Sequence, residues 1–129
     1  MIRIFSLAAV LGGLFWCPGT FAATDIDSVQ ADYKAGNLIE AFDGYKLLAE
    51  EGNPLAQYNL GAMYLSGEGT EKNLVEAWAW TRLAAERDQH VRASDYVQSY
   101  LTIEAHMTNE QKAAAMERYQ QLLSLIPEN

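Results

Sequence analysis

The feature that most constrains the fold is an internal repeat with a constant spacing of 36 residues. Residues 37–42 closely match residues 73–78. The same spacing relates three further pairs of segments: 46–47 with 82–83, 49–50 with 85–86, and 64–65 with 100–101. Helical-hairpin repeats have about this length. The spacing therefore predicts three helix pairs, unless the two best-matching helices are alike by chance. The predicted pairs span residues 25–52, 53–88 and 89–126.

Composition and periodicity predict six helices within these pairs. The segment is rich in Ala, Leu, Glu, Gln and Lys, which favour helices, and its apolar residues recur at helical spacing. The predicted helices cover about 25–34, 37–51, 53–66, 73–87, 90–105 and 108–126. Asn37, Asn53, Asn73 and Thr108 are the predicted N-caps, three of them with Glu or Gln three residues later. Gly67 and Gly69 predict a loop with positive φ angles after the third helix.

The first 23 residues have the pattern of a secretory signal peptide. Arg3 supplies a positive start, residues 4–16 are almost wholly apolar, and small residues reach a cleavage point at Ala22 or Ala23. The alternative of a membrane anchor requires about 20 apolar residues, more than this run contains. A lipoprotein processed at Cys17 is the other alternative.

The bulky Trp16 beside Cys17 disfavours processing of the chain as a lipoprotein. The sequence thus predicts a signal peptide over residues 1–23 and one mature domain over 24–129. We expect the domain to be exported, to the periplasm or the medium, with no stable membrane insertion after cleavage. Because the single cysteine lies in the leader, the mature domain forms no disulfide.

Charge excludes some partners. The chain has 17 acidic and 9 basic residues, a net charge of −8. Such a chain repels phosphate backbones, which argues against nucleic acid and against anionic membranes. Half of the residues are hydrophobic, which rules out disorder over most of the chain.

Small residues lie where two helices of one pair should meet. Gly61, Ala84 and Ala85 permit close approach between the third and fourth helices. Trp78 and Trp80 point about 200° apart on one helix, so they cannot share a face. That arrangement predicts a helix packed both on its own partner and on the next pair. An exposed aromatic binding pair is the alternative.

Residues 56–69 resemble the first helix and loop of a Sel1-like repeat, a relative of the tetratricopeptide repeat. Ala77, Trp80, Ala84 and Ala85 match its second helix. The resemblance covers 54–86 specifically, 25–53 more loosely, and little beyond 89, where Val97 takes the place of Gly61. It implies an all-α, right-handed solenoid of α–α hairpins.

The sequence contains few candidates for a catalytic or a metal-binding site. Ser94, His90 and Asp95 could be drawn as a triad, but Ser94 and His90 are simply one helical turn apart. His90 and His106 lack partners at metal-ligand spacing. Some cysteine-rich relatives of the family are reported to bind or hydrolyse β-lactams, and this chain lacks their paired cysteines. We therefore expect no enzyme activity, no metal and no cofactor.

The resemblance implies binding of a protein or peptide on the concave face of the stack, in a scaffolding role in the bacterial envelope. By the tetratricopeptide pattern, this face would be lined by first-helix residues next to the core positions. The implied residues are Asp27, Lys34, Leu55, Tyr58, Ala62, Leu65, Ser94 and Gln98. Each could instead be ordinary surface or inter-repeat packing. Tyr58 is the strongest candidate, as a rigid aromatic anchor.

A small structural subunit or an inhibitor of a periplasmic complex is the alternative function. The acidic surface would then mask a basic partner, with a strong dependence on salt. A hydrolase is a further alternative.

Overall fold

In the part of the chain that the structure describes, six helices follow one another with short connections. The computed structural model describes residues 24–89 and 92–128, which contain no strand. The helices are α1 (Ile26–Ala35), α2 (Leu38–Glu50), α3 (Pro54–Ser66), α4 (Leu74–Arg87), α5 (Ala93–Ala105) and α6 (Asn109–Leu125). The prediction of an all-α fold with six helices is confirmed, although the predicted start of the fifth, at His90, lies outside the described residues.

The helix boundaries follow from capping side chains. The side chain of Asn53 accepts a hydrogen bond from the Ala56 N–H, at 3.0 Å, and Asn73 accepts from two N–H groups of α4. Thr108 and Gln111 form the predicted capping box. Gly67 and Gly69 both adopt positive φ, as predicted for the loop after α3. These side chains satisfy N–H groups that the first turn of a helix leaves unpaired.

Asn37 departs from the predicted capping pattern. Its side chain makes no capping bond to α2; instead its Nδ2 donates to Asp32 Oδ1 at 3.3 Å. The cause lies in the connection, because Gly36 closes α1 in the left-handed conformation and leaves Asn37 as the sole residue before α2. Its backbone N–H therefore completes α1 by bonding to the Asp32 carbonyl.

The first five helices each pack on their neighbours in the chain, as expected for stacked hairpins. The repeat is visible in its contacts. Phe42 meets Tyr64 edge to face at 5.2 Å between ring centroids, and Trp78 meets Tyr100 in the same geometry at 6.0 Å, 36 residues later. One aromatic contact therefore joins each second helix to the first helix of the next pair.

The third pair differs in its packing from the other two. Among the described helices, α6 packs extensively on α4 and makes little close backbone contact with α5, its partner in the predicted hairpin. Gly61 shows why a close hairpin is demanding: a Cβ there would collide with Thr81 Oγ1 and lie 3.0 Å from the Ala77 carbonyl oxygen. In α5 the corresponding residue is Val97, whose branched side chain excludes so close an approach.

Both tryptophans of α4 belong to the core. Trp78 and Trp80 are almost fully buried, so the alternative of an exposed aromatic pair is wrong. Trp80 Nε1 donates to Glu76 at 3.0 Å, and Trp78 Nε1 donates to Glu104 of α5 at 3.2 Å. Each indole thus has a polar partner despite its burial.

Arg82 is the centre of the contact between α4, α5 and α6. Its guanidinium carbon lies 4.8 Å from the ring centroid of Tyr119, 5.1 Å from that of Trp78 and 5.8 Å from that of Tyr100. Arg82 also pairs with Glu86 at 3.3 Å, and the Tyr119 hydroxyl donates to Glu86. Cation–π contacts to three rings fix the guanidinium and join the last two helices to α4.

Two further contacts hold α6 along α4. Arg118 pairs with Glu76 at 2.7 Å, near the beginning of α4. At its other end, Arg87 donates to the carbonyl oxygens of Ile126 and Pro127. The two helices therefore run in the same direction, and α6 contacts α4 near both ends of α4.

Enlarging Gly61 should open the contact between α3 and α4. We expect Gly61→Leu to lower the free energy of unfolding by about 1–3 kcal/mol, because Thr81 and the Ala77 carbonyl leave no room for a side chain. The matched control is Ala62→Leu, at the next, exposed position, with a change within about 0.5 kcal/mol. Urea unfolding of the two variants would measure both, and equal values would contradict the packing.

Tyr119 should make the fold sensitive to alkaline pH. Burial and the hydrogen bond to Glu86 raise the pKa of Tyr119 from 10.0 to about 12. Because the folded state holds this proton more tightly, the stabilisation is full below pH 10 and is lost as the pH rises towards 12. We expect the free energy of unfolding to fall more steeply over this interval than in Tyr119→Phe. Every other ionisable group is the same in the two proteins, so parallel curves would show that Tyr119 contributes nothing.

Candidate functional site

The first helices of the three pairs lie side by side and form one surface, here called the A-helix face, made of α1, α3 and α5. The Tyr33 hydroxyl of α1 donates to Glu68, in the loop after α3, at 2.7 Å. On the other side of α3, the ring of Tyr58 stacks on that of Tyr96 of α5, 4.3 Å apart and 19° from parallel. These contacts set the spacing of the three helices.

A small cleft of about 120 Å³ lies between α1, α2 and α3. It is lined by Tyr33, Tyr45, Asn59, Ala62 and Met63. The hydrogen bond to the Glu68 carboxylate raises the pKa of Tyr33, and burial raises that of Tyr45. Both hydroxyls therefore stay protonated at neutral pH. The Tyr33 hydroxyl, whose proton is donated to Glu68, can accept a hydrogen bond from a ligand, and the Tyr45 hydroxyl can donate one.

A second cleft, of about 280 Å³, lies between α3 and α5 at the end of the helices that carries the loop after α3. Its lining combines apolar side chains with a few polar ones: Leu65, Lys72, Leu74, Thr102, Ile103 and His106. The His106 ring is fixed by a 2.9 Å contact between Nδ1 and the Thr102 carbonyl oxygen. The cleft can take an apolar side chain beside a hydrogen-bonding group.

A third cleft, of about 580 Å³, lies at the opposite end of α3. It is lined by Asn53, Pro54, Leu55, Arg87, Asp88, Gln89, Arg92 and Tyr96. Its lining is the most highly charged of the three.

The structure distributes the predicted binding residues over this surface. Leu55, Ala62 and Leu65 each line one of the three clefts. Tyr58 is half-buried against Tyr96, so one face of its ring serves inter-repeat packing, the alternative raised for it above. The four remaining predicted residues are exposed and line none of these clefts: Asp27, Lys34, Ser94 and Gln98.

Several lining residues were missed by the sequence analysis. Tyr33, Asn59 and Thr102 border the clefts because two helices bring them together from different pairs. Tyr33 follows Ile26 and Val29 at helical spacing, and no spacing rule separates such a residue from the core. Its hydrogen bond to Glu68 depends on the loop, whose path the sequence alone does not give.

The described residues contain neither a metal-binding cluster nor a membrane-spanning helix. Among residues 24–89 and 92–128, no three His, Cys, Asp or Glu side chains gather closely enough to hold a metal ion. In the same part of the chain, no helix has the length and apolar character needed to cross a membrane. Of the residues that could be drawn as a triad, His90 lies outside the described residues.

Comparison with known proteins supports the resemblance seen in the second helix pair. Residues 54–89 match the model of the Sel1 repeat. A sel1-like repeat-containing protein of Acanthamoeba polyphaga mimivirus is 43% identical over 46 residues, which are 36% of this chain and 8% of that protein. The chain thus spans a small fraction of the relative's length. No solved structure matches the chain significantly.

The matched residues coincide with α3, its loop and α4, the two helices in contact at Gly61. Sel1 repeats are generally modules for protein–protein interaction and are typically non-catalytic. The repeat match and the hairpin geometry together identify residues 54–89 of this chain as a Sel1 repeat.

Proposed function

We propose that the chain is a non-enzymatic scaffold of the bacterial envelope that binds a protein or peptide on its A-helix face. The general role of Sel1 repeats supports binding, and the signal-like leader supports an exported location. The ligand would lie across α3, in contact with α1 on one side and α5 on the other.

The observation that carries this proposal is the position of Ala62 and Leu65. These two exposed residues lie one helical turn apart on α3, and each borders a different cleft. An apolar ridge between two clefts suits a ligand that places side chains on both sides of it. Grooves between helices commonly accept an extended segment or an amphipathic helix in this way.

Tyr58 has a positioning role in this arrangement. Its stacked contact with Tyr96 and its 3.5 Å contact with Ser99 hold α5 against α3. Truncating it would therefore disturb the shape of the face as well as any contact with a ligand. Leu65 is the better residue for a test, because its side chain is 37% exposed and a polar substitution leaves the core intact.

We propose a protein without enzyme activity because the predicted mature domain offers few groups for covalent catalysis. The sequence after residue 23 contains no cysteine. His106 directs Nδ1 at the Thr102 carbonyl oxygen one turn earlier in α5, which fixes the ring against its own helix.

Leu65→Arg should reduce capture of the partner while the protein stays folded. We expect recovery of the specific proteins from envelope extract to fall about tenfold, because a charge replaces an apolar contact at the centre of the face. Gln120→Arg, an equally exposed change on α6, is the matched control and should recover them normally. Quantitative affinity capture with the three proteins would measure this.

Equal recovery by Leu65→Arg and the unsubstituted protein would place the binding surface elsewhere. Turnover of any compound in a broad panel of hydrolase substrates, abolished by a point substitution in the chain, would overturn the non-enzymatic proposal.

A further inference from the structure

The side of α4 that faces away from α3 is a packing surface for a helix, and α6 packs on it. Val75, Ala79 and Leu83 follow one another at four-residue spacing, on the side away from Ala77 and Thr81, which face α3. Ala79 and Leu83 are nevertheless fully buried. The contacts of α6 with Glu76 and Glu86 lie beside this row, so α6 is the helix that covers it.

An equivalent surface recurs on α2, where no helix among the described residues covers it. Thirty-six residues before the row on α4 stand Ile39, Asp43 and Leu47, at the same spacing. Ile39 is 66% exposed and Leu47 46% exposed, and Asp43 is exposed between them. Single exposed apolar residues are common on protein surfaces. Ile39 and Leu47, however, lie on one row of α2 that is equivalent to the row on α4 covered by a helix. This equivalence indicates that the row on α2 is a docking surface.

The polar groups that hold α6 also recur on α2. Glu76, Arg82 and Glu86 bind Arg118 and Tyr119 of α6. Their equivalents, 36 residues earlier, are Glu40, Lys46 and Glu50, all of them exposed. We call these three residues, together with the row of Ile39, Asp43 and Leu47, the outer α2 face. A helix laid along it would meet a carboxylate, a cation and a second carboxylate in the order that α6 meets them on α4.

One difference between the two faces specifies the charge of the occupant. Ala79, in the middle of the α4 row, corresponds to Asp43 on α2. The outer α2 face therefore carries three carboxylates and one ammonium group, and a helix that covers Asp43 must supply a cation to pair with it. A neutral helix would leave this carboxylate desolvated and unpaired.

We propose that the outer α2 face binds a basic amphipathic helix of a partner protein, in the way that α6 lies on α4. Ile39 and Leu47 contact its apolar stripe, and Asp43 pairs with a lysine or arginine within that stripe. The proposal is independent of the A-helix face, since it concerns the second helix of the first pair and a different set of residues.

Two peptides with the sequence of α6 serve as probes. The first is residues 107–127 unchanged, with two acidic and two basic side chains. The second carries Ala115→Lys, which places a lysine on the side of α6 that is buried in the folded protein, within its apolar stripe, and so has a net positive charge. We expect NMR shifts of the labelled protein to concentrate on residues 39–50 with the basic peptide, with affinity at least about tenfold above that of the unchanged peptide.

Matched variants locate the site. Ile39→Glu should weaken binding of the basic peptide about tenfold, whereas Leu125→Glu, at the equally exposed Leu125 of α6, should leave it unchanged. Leu65→Arg, on the A-helix face, should also leave it unchanged. Because Ile39 is exposed, its variant should keep the melting temperature of the unsubstituted protein, which circular dichroism would verify.

Equal affinity for the two peptides would overturn the proposal, as would shifts confined to α4 or to the A-helix face. A second copy of the chain is the competing occupant. If sedimentation equilibrium shows a dimer that Ile39→Glu dissociates, the face is a self-association surface and the proposal of a partner helix is wrong.

Discussion

The close approach of α3 and α4 at Gly61 is the contact on which the rest of the structure depends. Thr81 Oγ1 donates to the Ala77 carbonyl at 2.7 Å, so both groups that face Gly61 are fixed in place. With α3 held so near, α4 has its remaining sides available for α5 and α6. The family match ends at residue 89, so it covers this hairpin and not the helices that pack on it.

The second constraint is the cluster around Arg82. In a chain of net charge −8, one guanidinium held by three aromatic rings and by Glu86 joins three helices. Partial burial among rings strengthens such contacts relative to those of a solvated arginine. This cluster explains how a third pair with Val97 in place of the small residue still packs firmly, since α6 is bound to α4 and not to α5.

Much of the fold could be predicted because its determinants are local. Asn53, Asn73 and Thr108 cap helices through bonds that span two or three residues, and sequence spacing is sufficient to identify them. Asn37 shows the limit, since a one-residue connection made its role depend on the preceding helix. The packing of α6 and the clefts beside α3 arise from contacts across 30 or 40 positions, such as Arg82 with Tyr119, for which a single sequence carries no direct signal.

The way in which α6 is attached has a consequence for how the chain conceals its apolar surface. Few large side chains of α6 are buried, and much of its hold comes from Arg118, Tyr119 and the bonds of Arg87 to its carboxyl end. Were this last helix to swing away, the valine–alanine–leucine row on α4 would be exposed in addition to the isoleucine and leucine that α2 already presents. The last helix thus acts as a cover that keeps the exposed apolar area of the monomer small, and large exposed apolar patches promote aggregation.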